Sequence, residues 1–126
     1  MKPNILHIED NPDNMMLVRR ILQPDSYNLI ESRSGIQGLI IAESQDIDLI
    51  LLDINLPDID GYEVTRRLRA SPKTALAHTP IIVVTANAMK GDAQKALAAG
   101  CNVYMSKPIN IQELLDKVES FVLKEA

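Results

Sequence analysis

A chain of 126 residues has room for one ordinary domain and not for two. Hydrophobic residues make up 46% of it and aromatics only 3%, so the core must be aliphatic. The 13 Lys and Arg against 17 Asp and Glu leave a formal net charge of -4, which argues against a chain built to coat nucleic acid or an anionic membrane. Met1-Lys2-Pro3-Asn4 leads into a short apolar run, Ile5 to Ile8, that Glu9 and Asp10 end. Such a start is neither a signal peptide nor a membrane span, and the run reads as a first buried strand.

The first helix follows at once: Asn11 can cap, Pro12 suits the first helical position, and Leu17, Val18, Ile21 and Leu22 form an apolar face. Pro24 blocks continuation. Tyr27 to Glu31 is a more mixed strand suited to a sheet edge. Ser34 and Gln37 have capping-box spacing ahead of Leu39 and Ile40, which predicts a second helix. Leu49 to Leu52 and Ile81 to Val84 are continuous apolar runs, expected of strands covered on both faces in a parallel sheet. Between them a helix runs from about Tyr62 to Arg69, before the break at Ser71-Pro72. A fourth helix carries Ala93, Ala96 and Leu97, with Gly100 placed to end it in a left-handed conformation. Val103 to Met105 is a weaker strand. In the last helix Asn110 and Glu113 form a capping box, and Ile111, Leu114, Leu115, Val118 and Val122 follow helical spacing.

Strands and helices alternating over short links imply right-handed crossovers and a doubly wound α/β fold. No repeat, low-complexity tract or linker divides the chain, so residues 1–126 are expected to form a single domain. On that frame Glu9 and Asp10 follow the first strand, Asp53 ends the third, Thr85 ends the fourth and Lys107 follows the fifth. These are strand carboxyl ends, the edge where open α/β sheets bind ligands. Each residue alone also fits an ordinary role as a helix cap, a solvated turn or a surface lysine. Their joint placement is what favours a site.

Three neighbouring carboxylates repel one another, and a divalent cation relieves the conflict. Oxygen ligands favour Mg²⁺ over zinc. One carboxylate can then act as a nucleophile toward phosphorus, forming an acyl phosphate. A lysine ammonium and a threonine hydroxyl would offset charge on the transferring phosphoryl oxygens.

These residues resemble the receiver domains of two-component response regulators over essentially the whole chain. The matching pieces are Ile8-Glu9-Asp10-Asn11, Leu51 to Pro57, Asp60-Gly61, Val83-Val84-Thr85-Ala86 and Ser106-Lys107-Pro108. The stretch Ala88-Met89-Lys90-Gly91-Asp92, followed by Gly100-Cys101 and Lys107-Pro108-Ile109, looks like single-domain (DivK-type) regulators and hybrid-kinase receivers. The resemblance implies a flavodoxin-like (βα)5 fold with a five-stranded parallel sheet in order 2-1-3-4-5, and a cis bond before Pro108. It casts Asp53 as the phospho-acceptor and Asp10 and Asp53 as direct Mg²⁺ ligands. Glu9 would act through a bound water, and Asn55 through its backbone carbonyl. Glu9 stands where the family often has Asp.

Thr85 and Tyr104 would form the switch, and Asn55 and Asn87 match positions that tune spontaneous hydrolysis. The implied donor is a sensor histidine kinase or a histidine phosphotransfer protein, and the output is contact with a downstream protein. A cytoplasmic monomer is expected, without nucleic acid, membrane or output domain. Its own catalysis would be limited to accepting a phosphoryl group and losing it to water.

Several residues carry less. His7, inside a core strand, is expected to be a satisfied structural histidine, and His78 sits in a polar loop without companion ligands. Cys101 is expected to be a small half-buried thiol; as the lone cysteine it has no disulfide partner and suits a reducing compartment. Met15 lies off the face set by Leu17, Val18 and Ile21, so a docking contact competes with simple packing; Ile111, Leu114 and Val118 read as core. Two rival functions remain at this point. A haloacid-dehalogenase-like phosphatase would need a second Asp two residues after its nucleophile, where this chain has Asn55. A flavodoxin-like cofactor binder would need aromatics and a phosphate loop after the first strand, and the sequence is poor in both.

Overall fold

A computed structural model describes residues 2–22, 26–86 and 92–122. Pro24, Asn87 and the stretch Ala88 to Gly91 lie outside the described residues. The elements in chain order are β1 (Asn4–Ile8), α1 (Pro12–Ile21), β2 (Asn28–Ser32), α2 (Gly35–Ser44), β3 (Leu49–Asp53), α3 (Gly61–Arg69), α4 (Thr74–Ala77), β4 (Ile81–Thr85), α5 (Asp92–Ala99), β5 (Val103–Ser106) and α6 (Ile111–Val122). The five strands form one parallel sheet in the order β2-β1-β3-β4-β5. This is the doubly wound order expected above, with the mixed segment at one edge.

Because neighbouring strand residues point to opposite faces, each buried strand feeds two cores. Leu6, Ile8, Ile50, Leu52, Ile81 and Val83 meet Ala42, Val64, Leu68, Leu76 and Ala96 from α2, α3, α4 and α5. Ile5, Leu49, Leu51, Ile82, Val84 and Met105 meet Val18, Ile21, Leu114 and Val118 from α1 and α6. Every residue of β3 and β4 is buried, which explains why those runs do not alternate with polar residues. Each fully buried Leu or Ile contributes about 1.5–3 kcal/mol over its exposed state.

The helix starts follow their capping residues. Asn11 Oδ1 accepts from the backbone N–H of Asp13 (2.9 Å) and Asn14 (3.1 Å), Ser34 Oγ from Gln37 (3.1 Å), and Asn110 Oδ1 from Glu113 (2.8 Å). Gly100 closes α5 with φ 116°, and the Lys107–Pro108 bond is cis.

Some expectations need correction. Met15 is buried and Met16 is the exposed methionine at 46%: Met15 lies three residues before Val18, one helical turn along the same face. Ile111 is 55% exposed rather than core, although Leu114 and Val118 are fully buried. Periodicity gives the angle of a side chain around the axis, but not how far along the axis the covering sheet extends. Leu97 is likewise exposed, while Ala96 carries the contact of α5 with the core. The four-residue helix α4 was not expected, being too short to show a period. His7 is buried as foreseen, but its Nδ1 has no hydrogen-bond partner among the described residues.

Candidate functional site

The register of the sheet brings the polar strand ends together. Ile8 pairs with Leu52 and Asp53 with Val84, while Thr85 lies opposite Ser106. Glu9, Asp10, Asp53, Thr85 and Lys107 therefore emerge along one edge from four different strands. Two backbone bonds lock the alignment: the Ile54 N–H donates to the Val84 carbonyl at 3.1 Å, and the Lys107 N–H to the Thr85 carbonyl at 2.7 Å.

Carboxylate oxygens of Glu9, Asp10 and Asp53 lie within 4.8 Å of one another. Glu9 and Asp53 are buried, whereas Asp10 faces solvent. The Lys107 ammonium reaches both buried acids, with Nζ 3.2 Å from Glu9 Oε1 and 3.2 Å from Asp53 Oδ1. Both contacts are ion pairs, and the one to Glu9 is also a hydrogen bond. The second Glu9 oxygen accepts from the Asn11 N–H at 3.3 Å.

Burial and the neighbouring Asp53 charge push the Glu9 carboxyl above its usual range, and Lys107 only partly opposes them. For Lys107, burial favours the neutral amine, but Asp53 and then Glu9 outweigh it and hold the ammonium above its ordinary value. Three carboxylates facing one ammonium leave an excess of negative charge that a divalent cation would neutralise. The donors are all oxygens and one acid is solvent-facing, which fits Mg²⁺, a hard ion that retains waters. Glu9, Asp10 and Asp53 are the residues that could hold it, and Asn55 is exposed on the loop after β3, two residues past Asp53.

Thr85 is buried at the end of β4. Tyr104, opposite Val83 on β5, is half-buried and packs against the Leu6 and Ile8 core layer. Since Val83 and Thr85 are two residues apart, Thr85 and Tyr104 share one face of the sheet. A groove of about 510 Å³ lined by Lys2, Arg19, Leu22, Tyr27, Asn28, Leu29 and Glu31 lies away from this edge, and none of the site residues lines it.

Two loop residues do more than the sequence reading assigned them. The Asp60 carboxylate caps α3 by accepting from the Glu63 N–H at 2.9 Å, a role that the Asp-x-x-Glu spacing signals. Asp58 accepts from the N–H groups of Gly35 (2.9 Å) and Ile36 (2.7 Å). Its slight burial works upward on the carboxyl, but the Ile36 and Gly35 donors prevail and hold it below the ordinary Asp value. No local pattern announces contacts made 22 and 23 residues away. Gly61 is required by close approach: a Cβ there would stand 2.7 Å from the Asp53 carbonyl oxygen and 2.8 Å from Ile54 Cα.

A family model described as the response regulator receiver domain matches residues 5–119. The chain belongs to the response regulator receiver family. As a receiver it is similar to the polar-differentiation response regulator DivK of Brucella ovis, at 39% identity over 97% of this chain and 98% of that protein. It is also similar to the receiver domain of the sensor histidine kinase PA1611 of Pseudomonas aeruginosa, at 38% identity and a TM-score of 0.86, covering 96% of this chain and 98% of that one. That structure has a magnesium ion coordinated in its active-site cleft. A third likeness, at 28% identity and a TM-score of 0.89, is to the receiver domain of Ssk1 from Saccharomyces cerevisiae, crystallised with the histidine phosphotransfer protein Ypd1; it covers 99% of this chain and 92% of that one. The family match leaves the phosphatase and cofactor-binder readings without support.

Proposed function

We propose that this receiver takes a phosphoryl group from a phosphohistidine donor onto Asp53, with Mg²⁺, and signals by changing its protein-contact surface. The observation that carries the proposal is the Lys107 ammonium 3.2 Å from both Glu9 and Asp53, beside Asp10 at the carboxyl edge of the sheet. An Asp53 oxygen attacks phosphorus while the bond from phosphorus to the donor imidazole breaks, and the imidazole keeps the electron pair. Bound Mg²⁺ supplies positive charge to the phosphoryl oxygens and relieves repulsion among the acids. Lys107 is already placed to pair with the phosphoryl, and the Thr85 hydroxyl is a donor for one of its oxygens.

Once Asp53 carries the phosphoryl, new contacts to Thr85 and Lys107 favour one of two conformations. Thr85 and Tyr104 share a sheet face, which supports a readout in which Tyr104 moves inward. The donor is proposed to be a sensor histidine kinase or a histidine phosphotransfer protein, in keeping with the Ypd1–Ssk1 complex of the yeast relative. The chain itself would act as a cytoplasmic monomer and a switch, with no turnover beyond its own phosphorylation and slow hydrolysis. None of the described helices is long and apolar enough to cross a membrane.

Intact mass spectrometry with acetyl phosphate, with and without Mg²⁺, tests the acceptor. The wild type should gain one phosphoryl adduct only with Mg²⁺, and Asp53→Asn none. An adduct that persists in Asp53→Asn, or no adduct on the wild type from either acetyl phosphate or a phosphohistidine protein, would refute the mechanism.

A further inference from the structure

Asp58 lies in the loop between β3 and α3, three residues after Asn55, and its carboxylate leaves its own loop. Oδ1 accepts from the Gly35 N–H at 2.9 Å and Oδ2 from the Ile36 N–H at 2.7 Å. These are the first two N–H groups of α2, which no helix can satisfy internally. Ser34 takes the third donor, on Gln37, at 3.1 Å. Asp58 thus completes, from another loop, a cap that Ser34 only begins, and its negative charge suits the positive end of the helix.

A second contact runs beside the first. The next residue, Ile59, packs so closely on α2 that a Cβ at Gly35 would lie 2.7 Å from Ile59 Cγ1, and Val64 Cγ2 would be 2.9 Å away. The loop's own ends are tied to the site: the Ile54 N–H donates to the Val84 carbonyl at 3.1 Å, and the Gly61 N–H to the Ile54 carbonyl at 2.9 Å. Between those ties the chain carries Asn55, and Asp58 is its polar anchor to α2.

We propose that Asp58 is a positioning residue for the metal site: by clamping the β3–α3 loop to the first turn of α2, it fixes the course of the loop that leaves Asp53 and carries Asn55 two residues on. This rests on the Mg²⁺ reading of the preceding subsection. Each carboxylate oxygen meets one of the two donors, whereas an Asn side chain there would turn its own NH₂ donor toward one of them.

The test compares Mg²⁺ dissociation constants by titration calorimetry, and Tm without metal, for wild type, Asp58→Ala, Asp58→Asn and Ser34→Ala. Asp58→Ala should weaken Mg²⁺ binding about tenfold, the low end for residues that orient metal ligands. Asp58→Asn should fall between it and the wild type. Ser34→Ala removes a cap at the same helix end without touching the loop; it should lower Tm and leave the Mg²⁺ constant within about twofold of wild type. Equal Mg²⁺ affinity in wild type and Asp58→Ala would overturn the proposal, as would an equal loss in Ser34→Ala, which would assign the effect to fraying of α2. If Asp58→Ala does not fold, Asp58→Asn decides alone: affinity equal to wild type overturns the proposal, and weakened affinity supports it. A wild type that binds no Mg²⁺ would overturn the proposed function and this inference together, whereas a failure confined to the Asp58 variants would overturn only the inference.

Discussion

Replacing His7 by Leu should remove an acid sensitivity from the fold. His7 sits in β1, buried, with Leu51 and Glu31 as its register partners on β3 and β2. Burial first, then the Lys107 and Arg19 charges, lower its value from 6.5 to about 3. The neighbouring Glu31 carboxylate does not rescue the cation, because Arg19 holds it at 2.6 and 2.8 Å.

The folded state therefore keeps His7 neutral while the unfolded chain protonates it near 6.5, so stability is complete above that value and falls as pH drops toward the folded one. At pH 5.5 the unfolded chain gains about 1.4 kcal/mol from this proton, which weakens the fold by that much relative to pH 7.5. Because pH 5.5 lies well above the folded value, the unfolded value alone sets this magnitude. For a domain of this size it corresponds to about 5 °C in Tm.

The assay is urea unfolding of wild type and His7→Leu at pH 7.5 and 5.5, followed by circular dichroism. Other titrating groups are common to both proteins and cancel in the difference. The wild type should lose about 1.4 kcal/mol relative to His7→Leu between the two pH values. His7→Leu also removes a buried nitrogen that has no partner among the described residues, so at pH 7.5 it should be no less stable than wild type to within about 1 kcal/mol. A difference between the two proteins that stays flat from pH 7.5 to 5.5 would show that the folded state accepts the proton as readily as the unfolded one, and the reasoning from burial would fail.

Gly61→Ala should destabilise the fold by about 1–3 kcal/mol, because the atoms its Cβ would meet belong to the backbone and cannot rotate away; urea unfolding measures this, and slower acetyl phosphate labelling should accompany it as the Asp53 carbonyl shifts. Arg69→Met should cost about 2–3 kcal/mol, read from the same unfolding curves. The guanidinium donates to the carbonyls of Gly100 (2.8 Å), Ala77 (3.1 Å) and Thr79 (2.6 Å) and to Asn102 Oδ1 (2.7 Å). These groups lie at the sheet edge opposite the carboxylates, so Arg69→Met that remains folded should be labelled at the wild-type rate.

Much of the fold was legible because its signals are local. The apolar runs at Leu49 to Leu52 and Ile81 to Val84 report burial on both faces, and Asn11, Ser34 and Asn110 cap the helices that follow them. The joint placement of Glu9, Asp10, Asp53, Thr85 and Lys107 at strand ends was enough to gather them on one edge, since a parallel sheet aligns the carboxyl ends of its strands. Local signals also misled: spacing alone put Ile111 in the core and left Met15 outside it.

The sequence by itself determined the alternation of elements and the residue types of the site. Only the tertiary structure decided which acids Lys107 reaches, that His7 Nδ1 is buried without a partner among the described residues, and that Asp58 caps a helix 22 residues upstream. The physical reason is range. Propensity, capping and periodicity act within a few residues, whereas charge pairing and desolvation depend on which distant segments the packed sheet and helices bring into contact.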